Sequence, residues 1–186
     1  ALETNFSFDG LEEGITYTAK AFARLWEQDF VMETKIFPDD RWVDLGLSVL
    51  WARYNVGASS PEEYGGYYAW GETETKSSYS WENYKYYNSS TDSFANIGSD
   101  ISGTQYDVAH VKWGNGARMP RLAEIQELLN NCSWSVSTYN GVKGMTVTGQ
   151  NGNSIFLPFA GGRGDVELYD EGYCGYYWSG TILGAY

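Results

Sequence analysis

The segment from Ser59 to Ser99 constrains this chain more than any other. It is dense in Ser, Tyr, Gly, Asn and Trp and almost devoid of aliphatic side chains. A stretch that long without its own periodicity is either disordered or functional. Its rings argue against disorder, because Tyr64, Tyr67, Tyr68, Trp70, Tyr79, Trp81, Tyr84, Tyr86 and Tyr87 can pin a loop by packing. Any fold must therefore fasten a long irregular segment through aromatic contacts. The whole chain has 186 residues, with 16 Tyr, 8 Trp, 8 Phe and 22 Gly against 4 Pro and 2 Cys. That is one medium domain, or one domain plus a fragment, large enough to bury roughly two-thirds of its unfolded surface without covalent staples.

Charge excludes several partners. With 12 basic and 24 acidic residues and a single His, the formal net charge is -12. No basic stripe is available to neutralise phosphates, so nucleic acid is not an expected partner, and an anionic membrane surface repels the chain. No apolar run approaches the ~20 residues that span a bilayer. The chain opens without Met or a basic leader, so an export signal is expected to have been removed or to lie outside it.

Three runs between Thr4 and Phe37 alternate apolar and polar residues, as strands do: Phe6 and Phe8, then Tyr17 to Ala23, then Phe30 to Phe37. The polar break at Pro38, Asp39 and Asp40 is the expected boundary, giving segments 1–38 and 39–186. Beyond it, Trp42 to Ala58 contains two strand-like runs separated by Gly46. A short helix is expected over Tyr106 to Lys112, with Asp107 at its start where a carboxylate suits the free amides. A longer one is expected over Pro120 to Asn130, with Leu122, Ile125, Leu128 and Leu129 on one face. Gly144 to Gly161 predicts two strands joined at Gln150 to Asn153, since Asn-Gly tolerates positive φ. A last strand is expected at Gly175 to Ser179.

Two resemblances follow from quoted strings. DGLEEGITY (Asp9 to Tyr17) looks like the tyrosine corner of a fibronectin type III-like sandwich, which implies that residues 1–38 are the last strands of an incomplete β-sandwich. WVDLGLSVLWARYNVGASSPEEYGGYYAWGE (Trp42 to Glu72), DVAHVKWGNGARMPRLAEIQELL (Asp107 to Leu129), GQNGNSIFLPFAG and GYYWSGT then occur in one order. Together they resemble the Fibrobacter succinogenes major paralogous domain family of surface and secreted proteins in Bacteroidetes-type bacteria. The resemblance implies an α+β, C-type lectin-like fold with short helices and antiparallel strands, related to formylglycine-generating enzymes and to the variable proteins of diversity-generating retroelements. In that fold class an Arg-Met-Pro step, here Arg118-Met119-Pro120, opens a helix carrying Glu, here Glu124. The chain departs from the pattern at Tyr54, where Cys is usual, and at Ala117, where Trp is usual. Members continue past the Tyr-Trp-Ser string, so further strands and part of the ligand surface are expected beyond Tyr186.

The chemistry-bearing residues are few. In an exported protein Cys132 and Cys174 invite a disulfide, which would close a loop of about 40 residues and add ~3 to 4 kcal/mol; the alternative is two buried free thiols. The formylglycine-generating chemistry needs a close Cys pair, which this spacing does not match. His110 is alone, so neither a Ser-His-Asp triad nor a two-His metal site can be built, and a surface or helix-terminal role is expected. Asp165, Glu167, Asp170 and Glu171, and separately Glu72 and Glu74, offer hard oxygen ligands for calcium. The lectin calcium-sugar tripeptides are absent, and a solvated acidic loop is the alternative. Glu124 and Glu127 are expected to cap, or to pair with Arg118 or Arg121, and not to act as an acid/base couple.

The aromatic and polar segment from Tyr169 to Tyr186 is the binding candidate, with Tyr169, Asp170, Tyr173 and Tyr176 as the contact set. Tyr rings stack on sugars or on partner side chains, and Asp fixes orientation. Trp178 is expected in the core, as part of a structural signature. The leading expectation is a non-enzymatic recognition or adhesion module, exported to the cell surface or outside, binding a glycan or a protein and needing no cofactor. The alternative is a subunit of a surface fibre assembled by strand complementation; a divergent enzyme has no catalytic set here.

Overall fold

The computed structural model describes residues 17–18, 35–36, 40–114 and 116–182. The chain divides into two compact units, Ala1–Trp42 and Val43–Tyr186. In the first, β1 (Tyr17–Thr18) and β2 (Lys35–Ile36) pair antiparallel, with Tyr17 opposite Ile36. The tyrosine-corner contact of Tyr17, and the rest of the expected sandwich strands, lie outside the described residues.

The second unit is mixed, with few helices and several small antiparallel sheets, an α+β arrangement. The two runs expected between Trp42 and Ala58 are reduced to two-residue strands, β3 (Trp42–Val43) and β4 (Trp51–Ala52), which pair with each other. After the aromatic segment, which contains a 3-10 turn at Trp81–Asn83 and the short pair β5 (Tyr87–Asn88) and β6 (Ser93–Phe94), come the helices.

Helix α1 (Val108–Trp113) starts where Asp107 supplies its cap. That carboxylate is fully buried and holds three backbone N–H groups: His110 at 3.1 Å on Oδ1, and Gly103 at 2.8 Å and Met119 at 2.7 Å on Oδ2. One side chain thus ties the loop before α1, the helix itself and the Arg-Met-Pro step together. Helix α2 (Leu122–Asn131) begins two residues after Pro120. Glu124 accepts the Arg121 N–H at 2.8 Å and accepts from Nη1 and Nη2 of the Arg118 guanidinium, at 2.8 and 2.6 Å. Glu127 instead accepts from the backbone and hydroxyl of Ser48. Glu124 therefore caps and pairs as expected, whereas Glu127 does neither and instead ties α2 to Ser48.

The largest sheet follows α2, in the order β7 (Ser133–Tyr139), β8 (Val142–Thr148), β9 (Ser154–Pro158). β7 has no counterpart in the sequence expectation. It joins β8 through Asn140-Gly141, whose φ values of 45° and 85° form the positive-φ turn that suits a two-residue hairpin. The turn expected at Gln150 to Asn153 joins β8 to β9, with Gly152 at φ 85°. Val147 and Ile155 on this sheet, Leu128 on α2, and Val43 and Leu45 make one core. Ile101, Val108, Ala109 and Met119 make a second, flanked by Val56, Tyr68, Trp70 and Tyr106. Ala117 is buried, at 4% exposure, so there is no room for a Trp at that point as packed.

Rings do fasten the long segment. The hydroxyls of Tyr67, Tyr79 and Tyr84 donate to the carbonyls of Ala160, Tyr67 and Trp70. Tyr84–Tyr86 and Tyr86–Tyr106 centroids stand 5.7 and 5.6 Å apart, nearly perpendicular, pairings worth ~0.5–1.5 kcal/mol each beyond area burial. Lys76 bonds Glu72 and the Asn83 carbonyl, both at 2.8 Å, beneath the Tyr79 ring. Burial raises the Tyr84 phenol to about 12.

The strand expected at Gly175 to Ser179 does not form. Only an isolated parallel bridge, Gly161 to Gly175, exists there. The segment's partners are side chains and loop carbonyls: Trp70 Nε1 donates to Ser179 O and Trp178 Nε1 to Tyr68 O, both at 2.9 Å, and Gly180 N donates to Pro120 O at 2.8 Å. Among the described residues, no helix is long and apolar enough to cross a membrane.

Candidate functional site

The C-terminal candidate surface rests on a glycine ribbon. β9 leads through Gly161 into β10 (Gly162–Gly164), which turns at Asp165 (φ 53°) and returns as β11 (Glu167–Tyr169). A methyl group on Gly162 would meet the Tyr169 ring at 2.8–3.1 Å, and one on Gly161 would meet the Tyr169 carbonyl at 2.2 Å. Gly161, at φ 66° and against backbone, is thus a position only glycine fills, and the Tyr169 ring packs against Gly162. Arg163 sets its guanidinium 5.5 Å from the Tyr67 ring centroid.

Past Tyr169 the chain folds into a tight loop. Asp170 takes φ 56°, and its carbonyl accepts the N–H groups of Tyr173 and Cys174, both at 3.0 Å. Gly172 N donates to Phe159 O and Gly161 N to Cys174 O, at 2.8 and 2.7 Å. These bonds anchor the loop to the end of β9. Of the four expected contact residues, three form one cluster. The Tyr169 and Tyr176 rings stand 5.7 Å apart, tilted 59°, and the Tyr176 hydroxyl donates to Asp170 Oδ2 at 2.6 Å. That hydrogen bond raises the Tyr176 phenol to about 12, so it remains a neutral donor across physiological pH. Tyr173 stands on the same loop with 79% exposure, the highest among the described large hydrophobic residues.

Two aromatics join this surface against or beyond expectation. Trp178 is not core: it is 57% exposed, because its indole N–H is held at the surface by the Tyr68 carbonyl and its ring is not enclosed. Tyr177 is part-exposed while its hydroxyl donates to Pro158 O at 2.7 Å, and desolvation raises that phenol to about 12. Sequence reasoning had the signal for both, the unbroken Tyr176-Tyr177-Trp178 run, but ranked Trp178 by its string and not by its neighbours.

The remaining candidates disperse. Cys132 and Cys174 are free thiols, the first half-buried with its thiol pushed up by burial and the second exposed, so neither the disulfide nor the pair of buried thiols is present. Asp165 accepts the Ser78 hydroxyl at 2.7 Å, Glu72 pairs with Lys76 and Glu74 with Lys112. Among the described residues no three His, Cys, Asp or Glu side chains converge on one point. His110 sets Nδ1 3.3 Å from the Ala117 carbonyl. A separate cleft of about 370 Å³, not foreseen from sequence, is lined by residues including Val56, Ser59, Glu63, Lys112 and Trp113. Its charged groups are already engaged, Glu63 with Ser59 and Lys112 with Glu74. No family model matches the chain, and comparison with curated proteins and with solved structures found no match.

Proposed function

We propose that this chain is a non-enzymatic recognition or adhesion module, exported to the cell surface or beyond, that binds a glycan or protein ligand through the surface of Tyr169, Asp170, Tyr173 and Tyr176. The reading includes a C-type lectin-like fold for residues 39–186 and membership of the Fibrobacter succinogenes major paralogous domain family, on the strength of the strings quoted above. The observation that carries it is the Tyr169–Tyr176 pair locked to Asp170 by the Tyr176 hydroxyl, with Tyr173 open beside it. Stiff amphipathic rings on a bonded loop lose little entropy when a ligand docks, which favours affinity from a small contact area. The Asp170 carboxylate at its centre and the net charge of -12 favour uncharged or cationic ligands over anionic ones.

The test is a screen of the folded chain against a glycan array and a panel of surface proteins, followed by titration of any hit with Tyr173→Ala and Tyr176→Ala. Each variant is expected to weaken binding about tenfold or more, as truncation of a central aromatic does, with thermal unfolding unchanged for Tyr173→Ala. Silence of the whole screen, or hits that both variants bind as tightly as the parent, would overturn the proposal.

A further inference from the structure

The three-stranded sheet has two edges, and they are finished differently. Lys143 O accepts the Phe159 N–H at 2.9 Å, so the odd-numbered peptide groups of β8 point toward β9 and the even-numbered ones toward β7. On β7, whose register runs unbroken from Ser133 opposite Thr148 to Tyr139 opposite Val142, the odd residues therefore bond β8. The N–H and C=O groups of Trp134, Val136 and Thr138 point to the open side. Among the described residues, no hydrogen bond from outside the strand reaches those groups. The opposite edge is capped at its end. β9 ends in Pro158, whose carbonyl accepts the Ala160 N–H at 2.8 Å and the Tyr177 hydroxyl at 2.7 Å.

Edges of this length are ordinarily protected by charge, proline or a bulge. β7 reads Ser-Trp-Ser-Val-Ser-Thr-Tyr and has none of them. It also leaves Val136 60% exposed, because the core formed with α2 covers Trp134 but stops before Val136. We infer that β7 is a docking edge for a second copy of this chain, which pairs antiparallel through its own β7. The strand is self-complementary in one centred register. Val136 opposes Val136, and Trp134 opposes Thr138 from each side, so all the outward peptide groups meet outward peptide groups and each pair exchanges two N–H···O bonds. The two exposed Val136 side chains come together on the core side of the joined sheet. In an acidic chain, this uncharged strand is a place where two copies can approach without setting carboxylates against each other. This inference does not depend on the ligand reading, since the Tyr cluster contributes nothing to the β7 edge.

The experiment is sedimentation velocity of the full chain across a concentration series, at low and moderate salt, for the parent, Val136→Lys and Val136→Pro. The parent is expected to shift from monomer to dimer with concentration, more readily as salt screens the net charge. Val136→Lys sets two cations face to face, and Val136→Pro deletes an N–H that the chain's own sheet does not use. Each is expected to raise the dimer dissociation constant about 100-fold or more, a loss of the size seen when a central contact is removed, with the circular dichroism of the monomer retained. A parent that remains monomeric at every concentration, or a dimer unaffected by the variant that retains its fold, would overturn the inference.

Discussion

Asp107 offers the sharpest test of how this fold is held. Its carboxylate has no exposed surface and accepts three N–H groups that belong to different parts of the chain. In Asp107→Asn, the best amide orientation keeps oxygen toward Gly103 and Met119 and turns NH₂ toward the His110 N–H. One buried donor is then unsatisfied, at about 1–3 kcal/mol, and the other two bonds lose their charge assistance, at roughly 0.5–1.5 kcal/mol each. The expected loss is about 4 kcal/mol. Asp107→Ala strands all three donors and is expected to cost about 5 kcal/mol once water enters the space, a large part of the 5–15 kcal/mol typical of a domain. Urea denaturation followed by Trp fluorescence measures both, with an unchanged m-value showing that the native state has kept its extent. An Asp107→Asn midpoint corresponding to a loss of less than about 0.5 kcal/mol, the lower end for one ordinary hydrogen bond, would refute the view that this side chain is a three-way tie.

Two titrations follow from the same kind of reasoning. The Arg118 hydrogen bonds hold the Glu124 carboxyl below its ordinary 4.5, so the stability it contributes is full above that value and is lost as pH falls through the lower folded one. Glu124→Gln should make the urea midpoint fall less steeply between about pH 5 and pH 3; an unchanged slope would mean the pair contributes nothing. Tyr176 is raised to about 12 by Asp170, so its contribution is complete below pH 10 and is lost as pH rises toward the folded value. An ultraviolet difference titration of Asp170→Asn should show one phenol returning toward the ordinary value, and an identical titration curve would count against the hydrogen bond.

How much could be read from residues alone depends on where each determinant lies. Helix α2 is legible because Pro120, Glu124 and the spacing of Leu122, Ile125 and Leu128 are all local, and the cap and ion pair follow within six positions. Asp107 is legible as a cap for the same reason, but its bond to Met119 is not, since nothing near Asp107 encodes it. β7 does carry a local signal, since Ser133, Ser135 and Ser137 alternate with Trp134, Val136 and Thr138 at the period of a strand and Asn140-Gly141 marks its end, but the run is short and only two of its positions before Tyr139 are apolar. In the candidate site, the grouping of Tyr169, Asp170 and Tyr176 follows from their closeness in sequence. The exposure of Trp178 does not, because it is decided by the Tyr68 carbonyl from a distant loop. An even cysteine count is compatible with a disulfide, but bonding depends on proximity that count does not supply, and Cys132 and Cys174 are free.

The exchange of indole bonds between Trp70 and Ser179 and between Trp178 and Tyr68 has a bearing on synthesis. Ile101 N donates to Gly180 O, and Ile182 N to Ser99 O, so the core around Ile101 is sealed by the stretch near residue 180. A ribosome delivers roughly 5–20 residues each second, and everything between these partners must emerge before the seal can close. The Tyr-rich loop therefore spends several seconds of every translation cycle as an open, aromatic, unfastened segment. Protection of nascent rings, whether by chaperones or by neighbouring polar residues, is a requirement this topology places on the cell that makes it.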